Sequence, residues 1–96
     1  MRRSYTRRLG EVIGEFIQSY DFKNRLKEEE ALEFWNDLME NGMKRYCRSA
    51  HVSNGILYAV ISSSVARAEL HAIREDLRIK INEKIGAEII HRIVLR

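Results

Sequence analysis

The stretch from residue 54 to residue 82 constrains this chain more than any other, because it combines a turn, a strand, a serine run and a helix. Asn54-Gly55 favours a type I′ hairpin turn, which needs positive φ at both central residues. The apolar run Ile56–Ile61 is rich in β-branched and aromatic residues and predicts a strand. The serines at 62–64 then offer hydroxyl groups that can cap the following helix.

Two sets of residues recur at helical spacing in this predicted helix, and they indicate different uses. The apolar set predicts a buried face and consists of Ala66, Leu70, Ile73, Leu77 and Ile81. The basic set lies about 100° further round the helix and consists of Arg67, His71, Arg74 and Arg78. We therefore expect one helix to contribute both to the core and to a binding face.

The remaining chain predicts two more helices and two more strands. Apolar periodicity predicts a helix over residues 6–20, a break at 21–24 and a second helix over 25–46. Residues 48–53 and 89–95 predict strands, and Gly86 is a suitable residue to end the long helix. The fold class is therefore α+β, with a small three-stranded mixed sheet packed by three helices in the order α-α-β-β-α-β. The last strand can pair parallel with the second or antiparallel with the first, and the sequence leaves both arrangements open. We expect the core to include Trp35, Leu70, Ile73, Leu77 and Ile93.

Length and composition indicate one domain, residues 1–96, with residues 1–5 flexible. Cys47 is the only cysteine, so an intrachain disulfide is excluded and a reducing compartment is expected. Glu11 and Glu15 interrupt the first apolar stretch, which excludes a signal-peptide core. No uncharged run approaches the roughly 20 residues that a membrane span needs. We expect a cytoplasmic protein that does not bind a membrane.

Charge is distributed unevenly along the chain, whose formal net charge is +3. The basic N-terminus and the basic set of the long helix predict an anionic partner such as nucleic acid. The predicted nucleic-acid-binding residues are Arg2, Arg3, Arg7, Arg8, Ser64, Arg67, Arg74 and Arg78. The alternative is that these cations form a solvated flank over the core. The second helix contains an acidic block that would repel nucleic acid and consists of Glu28, Glu29, Glu30, Glu33, Asp37 and Glu40. Within this block, Glu29 and Glu33 are predicted to bind a protein partner. Alternatively, the block only stabilises the helix.

Catalytic and cofactor motifs are absent from the sequence. There is no phosphate-binding loop, and His51, His71, His91 and Cys47 lack metal-ligand spacing, so we predict no metal, no cofactor and no enzymatic activity. Tyr5 and Tyr58 are the candidates for stacking on bases. Tyr58 alternates with the apolar strand residues and is predicted on the outer sheet face, with packing under a helix as the alternative.

A succession of segments covers nearly the whole chain and consists of Leu9-Gly10-Glu11-Val12-Ile13, Trp35, Asn54-Gly55-Ile56-Leu57-Tyr58, Ser62-Ser63-Ser64, Arg67-Ala68-Glu69-Leu70, Arg74-Glu75, Leu77, Asn82-Glu83-Lys84-Ile85-Gly86 and Ile93-Val94-Leu95-Arg96. Together these segments resemble the DciA family, the bacterial replicative-helicase operators, most closely its short, single-domain Bacteroidetes-type members. It implies a K-homology-like domain that binds nucleic acid and a DnaB-type helicase. The chain departs from the pattern at Val65, where many members have Trp, and it lacks the GxxG loop of true K-homology domains. Longer members carry a disordered basic tail, whereas this chain stops at Arg96.

The function expected from residues and resemblance together is that of a non-enzymatic nucleic-acid-binding adaptor that loads or regulates the replicative DNA helicase. Its partners would be single- or double-stranded DNA, or RNA, and the DnaB-type helicase. Two alternatives stay open. One is an RNA- or ribosome-associated binding module, and the other is a pure protein-interaction module in which the acidic block docks a basic partner.

Overall fold

The protein is described by a computed structural model over residues 20–96. The segment predicted to be flexible, residues 1–5, lies outside the described residues, and so does the first predicted helix except for its last residue. The described chain forms helix α1 (Tyr20–Met39), strands β1 (Cys47–Ser53) and β2 (Ile56–Ile61), helices α2 (Ser64–Ala72) and α3 (Arg74–Ile85), and strand β3 (Arg92–Leu95). The prediction of an α+β fold with three helices and a three-stranded mixed sheet is confirmed.

The sheet has the strand order β1-β2-β3. Strands β1 and β2 pair antiparallel through Asn54 and Gly55, whose φ values of 52° and 78° are both positive, as the predicted turn requires. Strand β3 pairs parallel with β2, which decides the arrangement that the sequence left open. Strand β2 is therefore central and contributes side chains to both faces of the sheet.

The helices cover one face of the sheet and enclose the core. On this inner face β2 contributes Leu57, Ala59 and Ile61, which are all buried. Helix α1 packs on β1 and α3, and α2 packs on β2 and β3. Helix α3 also packs on β3 and on α2. The remaining buried apolar residues come from the helices, from β3 and from the segment before β3, and are Ala31, Trp35, Met39, Ala66, Leu70, Leu77, Ile81, Ile89, Ile90 and Ile93.

The predicted bounds of the second helix are wrong at both ends. The expected break at residues 21–24 is helical, and α1 ends at Met39 instead of continuing to residue 46. Gly42 has a φ of 112°, a conformation outside the helical region that glycine adopts at little cost. The chain therefore leaves the helix before this glycine and turns toward β1.

The predicted long helix is divided at Ile73. This residue has φ −107° and ψ 12°, and it ends α2 and begins α3. A continuous helix would keep Ile73 in the apolar stripe, but the division turns it outward and leaves it 46 % exposed. Because α2 packs on β2 and β3 while α3 packs mainly on α1 and also on β3, each half can bury its own apolar face. The prediction that Ile73 belongs to the core is therefore wrong.

The last strand begins at Arg92, later than predicted, because the preceding residues use other hydrogen-bond partners. The buried side chain of Asn82 receives a hydrogen bond from Ile90 N at 2.9 Å and donates one from Nδ2 to Ile90 O at 2.9 Å. His91 N donates to Gly55 O at 2.7 Å. Ile89 and Ile90 are thus buried as an extended segment outside the ladder, and Gly86 ends α3 with the predicted left-handed conformation (φ 81°).

Candidate nucleic-acid interface

The sheet has an outer face that no described helix covers. The ladder places His51 opposite Tyr58, and Tyr58 opposite Val94 in β3. Because side chains alternate along a strand, the outer-face positions follow from these pairs. They are Ser49, His51, Ser53, Ile56, Tyr58, Val60, Arg92, Val94 and, beyond the end of β3, Arg96. All of them are exposed or half-buried.

Three planar side chains cross this outer face as one row. The rings of His51 and Tyr58 stack with centroids 4.9 Å apart and an interplanar angle of 17°. The guanidinium carbon of Arg96 lies 4.9 Å from the centroid of the Tyr58 ring, which is a cation–π contact. Because β1 and β3 flank β2, His51 and Arg96 approach Tyr58 from its two neighbouring strands. We call these three side chains the stacked row. The prediction that Tyr58 lies on the outer face agrees with this geometry.

Arg67 is engaged within the fold. Its Nη2 donates a hydrogen bond of 2.9 Å to the main-chain oxygen of Ile61, which ties α2 to the end of β2. Its Nε is buried and has no acceptor among residues 20–96. The guanidinium is thus directed at the main chain, and less of it is available to a ligand than the helical pattern suggests.

Arg78 is also bound by its neighbours. Its Nε and Nη2 donate to Glu75 Oε1 at 2.9 and 2.6 Å, and Nη1 lies 3.6 Å from Glu88 Oε2 and 3.4 Å from the oxygen of Ile90. The side chain is only 17 % exposed. The hydrogen bonds between the two groups lower the pKa of the Glu75 carboxyl and raise the pKa of Arg78. Arg78 therefore connects α3 to the segment before β3 and has its charge largely neutralised.

The other predicted nucleic-acid-binding residues are placed as follows. Arg74 is exposed, and its guanidinium lies 3.4 Å from His71 Nε2. Ser64 is exposed in the first turn of α2, where the capping group is instead Ser63 Oγ, which accepts from Ala66 N at 3.2 Å. Arg2, Arg3, Arg7 and Arg8, together with Tyr5, lie outside the described residues. Of the predicted basic set in the described chain, Arg74 is thus the arginine most available to an anionic ligand.

The acidic block lies on α1, apart from Glu40 in the turn that follows. Glu29 and Glu33 are exposed there. Glu28 is half-buried, and its Oε2 accepts a hydrogen bond of 2.8 Å from the main-chain nitrogen of Gly55. One carboxylate of the block thus holds the hairpin turn against α1, while its neighbours remain free to face a partner.

Three residues of the outer face were missed by the sequence reasoning, namely His51, Arg92 and Arg96. One of them could have been found, because a two-residue turn at Asn54-Gly55 brings His51 opposite Tyr58. Alternation along the last strand, with Ile93 inward, also indicates that Arg92 and Arg96 point outward. Their position beside Tyr58 depends on how β3 pairs, which carries no local signal in the sequence.

Two other kinds of functional feature, metal sites and membrane-spanning helices, are not found among residues 20–96. Within residues 20–96, no group of three His, Cys, Asp or Glu side chains is arranged to hold a metal ion. None of the helices in this part of the chain is both long and apolar enough to cross a membrane.

Comparison with known proteins identifies a family. The sequence model of the family described as "Dna[CI] antecedent, DciA" matches residues 8–95. No curated protein and no solved structure matches the chain. The K-homology-like architecture implied by the resemblance thus stays a prediction. Because the match covers nearly every residue and agrees with the resemblance, the chain belongs to the DciA family.

Proposed function

We propose that this protein is a non-enzymatic adaptor that binds nucleic acid and loads or regulates the DnaB-type replicative helicase. The observation that carries the proposal is the DciA family match over residues 8–95. The family has a helicase-loading role and is not known as an enzyme family. The protein would act in the cytoplasm, on the replicating chromosome.

The separation of charge supports two different partner surfaces. Arg74, Arg92 and Arg96 are exposed cations on α3 and the sheet. Glu29 and Glu33 are exposed anions on α1, whose own exposed cations lie nearer the start of that helix. A polyanion is attracted by the first group and repelled by the second. The acidic side of α1 is therefore the better surface for a basic patch of the helicase, where charge would mainly steer association and orientation.

An RNA- or ribosome-associated module is the second candidate. The stacked row on the outer face supports it as much as it supports DNA binding, since planar side chains accept unpaired bases of RNA as readily as those of DNA. Parallel measurements with DNA and RNA of the same sequence separate the two candidates. A tighter complex with RNA, combined with no binding to the helicase, would favour the second.

Nucleic-acid binding is expected to weaken steeply with salt. About four phosphate contacts to a single strand predict a slope near −3 in a plot of log affinity against log salt concentration. Arg74→Glu should weaken binding to all sequences about equally, because phosphate contacts carry no sequence information. Lys23→Glu makes the same charge change on an exposed residue of α1 and should have a smaller effect. Fluorescence anisotropy over a salt series measures both quantities.

If Arg74→Glu and Lys23→Glu weakened binding equally, general charge would explain the effect and Arg74 would not contact the ligand. If the unaltered protein bound neither DNA nor RNA at low salt, the nucleic-acid part of the proposal would be wrong.

Helicase binding is expected to depend on the acidic side of α1. The double variant Glu29→Lys/Glu33→Lys should bind the DnaB-type helicase of the same organism about tenfold more weakly, mainly through slower association. Glu28 is left unchanged because it bonds Gly55. The control Glu69→Lys/Glu83→Lys makes the same charge change on exposed residues of α2 and α3. Interferometry with immobilised helicase measures the rates, and a sizing column measures complex formation.

Equal binding by the two double variants would remove the acidic side of α1 from the interface. No complex at micromolar concentrations, with or without nucleotide and single-stranded DNA, would contradict the helicase assignment.

A further inference from the structure

We infer that the outer face of the sheet is a binding platform for single-stranded nucleic acid, in which unpaired bases stack on the ends of the row formed by His51, Tyr58 and Arg96. Arg92 and Arg96 would hold the phosphates. The inference rests on the proposed nucleic-acid binding and assigns it a surface and a ligand class. The surface is distinct from the basic set on α2 and α3.

The stacked row presents planar groups that suit a nucleobase. Tyr58 is half-buried between its two neighbours, whereas His51 and Arg96 at the ends of the row are exposed. Each end can therefore accept a base and extend the stack by one more plane. Bases stack on aromatic rings and on arginine guanidinium planes with little regard to sequence, because every base has a π-face.

The main chain holds the row in place before any ligand arrives. His51 and Tyr58 are directly opposed in the β1–β2 ladder. Arg96 N donates to Ala59 O at 2.9 Å, and Ile61 N donates to Arg96 O at 2.8 Å. Both main-chain polar groups of Arg96 are thus hydrogen-bonded to β2. A site built on regular strands loses less conformational entropy on binding than a site built on loops.

The charge of this face identifies the ligand as a polyanion. Both charged side chains among its outer-face positions are arginines, Arg92 and Arg96, and none of those positions has an acidic side chain. The acidic residues between 22 and 96 lie on the helices, in the turn after α1 and in the segment before β3. An acidic polymer can therefore cross the three strands without meeting a like charge on the face itself.

Planar groups on an open sheet favour a single strand over a duplex. In a duplex the bases are paired and stacked on each other, which leaves the phosphates as the main available contact. A single strand offers phosphates and base faces together, as in proteins that bind unpaired strands on a charged surface with aromatic side chains. Three strands about 4.8 Å apart are about 10 Å wide, which limits the site to a few nucleotides.

The first test measures binding of short single strands by fluorescence anisotropy, with DNA, RNA and a duplex of equal length. We expect His51→Thr to weaken single-strand binding by about tenfold or more, within the range that stacking on one ring is worth. Tyr58→Thr should weaken it at least as much, because it removes the ring against which both ends of the row lie. Threonine keeps the strand propensity of these positions. The salt slope should stay unchanged, because no phosphate contact is lost, and Tyr58→Phe should bind like the unaltered protein.

A pair of arginine variants separates stacking from charge. Arg96→Lys keeps the charge but removes the planar guanidinium, and we expect several-fold weaker binding. Arg45→Lys is the matched control, because Arg45 also lies 4.9 Å from a tyrosine ring, that of Tyr46, but in the turn before β1. Arg92→Gln should reduce the salt slope by about 0.7, the value of one phosphate contact to a single strand.

Photo-cross-linking of the unaltered protein to a strand that carries iodouracil provides a test that needs no variant. Cross-links to the peptides that contain His51, Tyr58 or Arg96 are expected, and cross-links confined to α2 and α3 would overturn the inference. Single-strand binding that is unaffected by His51→Thr, Tyr58→Thr and Arg96→Lys would also overturn it, while leaving the proposed function intact. A preference for the duplex would have the same consequence. A complete lack of nucleic-acid binding would remove the inference together with the nucleic-acid part of the proposed function.

Discussion

Replacing Trp35 with alanine is expected to lower the free energy of unfolding by about 3–5 kcal/mol, the range for removing a large aromatic side chain from a core. Trp35 is fully buried, and it lies on the face of α1 that also buries Ala31 and Met39. A domain of this size typically has a stability of about 5–15 kcal/mol, so the variant should lose a large fraction of it and unfold at a clearly lower urea concentration. Urea unfolding followed by circular dichroism measures the loss, since Trp35 is the only tryptophan and its fluorescence disappears with it.

Trp35→Phe is the control for this prediction. The Nε1 of Trp35 is buried and has no acceptor among residues 20–96. Phenylalanine removes this unpaired donor and keeps an aromatic ring, so we expect less than half the loss seen with alanine. A loss below about 1 kcal/mol for Trp35→Ala would mean that the contacts of α1 with the sheet do not stabilise the fold.

Leu77→Ala should cost about 2–5 kcal/mol, whereas Ile73→Ala should cost less than about 1 kcal/mol. Both residues belong to the apolar set of the predicted long helix, but Leu77 is 9 % exposed and Ile73 is 46 % exposed. The difference tests the division of that helix into α2 and α3. The same urea series with both variants measures it.

Equal losses for the two variants would indicate that α2 and α3 form one continuous helix in solution, with Ile73 in the core. Equal losses close to zero would instead contradict the assignment of the apolar set as a core-facing surface.

The structure changes the interpretation of the predicted basic set. Arg67 and Arg78 form hydrogen bonds to main-chain oxygens, and Arg78 is paired with Glu75 and Glu88. Charge reversal at either position would disturb the fold as well as any contact to a ligand. Arg74 and the arginines of the sheet are therefore better positions for testing nucleic-acid binding.

The sequence by itself determined the features that depend on neighbouring residues. The Asn54-Gly55 turn, the bounds of β2 and the left-handed Gly86 follow from the conformational preferences of glycine, asparagine and β-branched residues. The alternation along β2 correctly separated the buried Leu57 from Tyr58 on the outer face. These signals act over a few residues and need no knowledge of what packs against them.

Only the tertiary structure decided the features that depend on distant parts of the chain. The parallel pairing of β3 with β2 brings the outward-facing Arg92 and Arg96 next to Tyr58 and the rest of β2. The division at Ile73 lets α2 pack on β2 and β3 while α3 packs mainly on α1 and also on β3. The partners of Arg78 include Glu88 and Ile90 from beyond the end of α3. A helical or alternating pattern shows which side of an element is apolar. Strand pairing, the division of a helix and the partners of an arginine are selected by the free energy of contacts between elements that are far apart in the sequence.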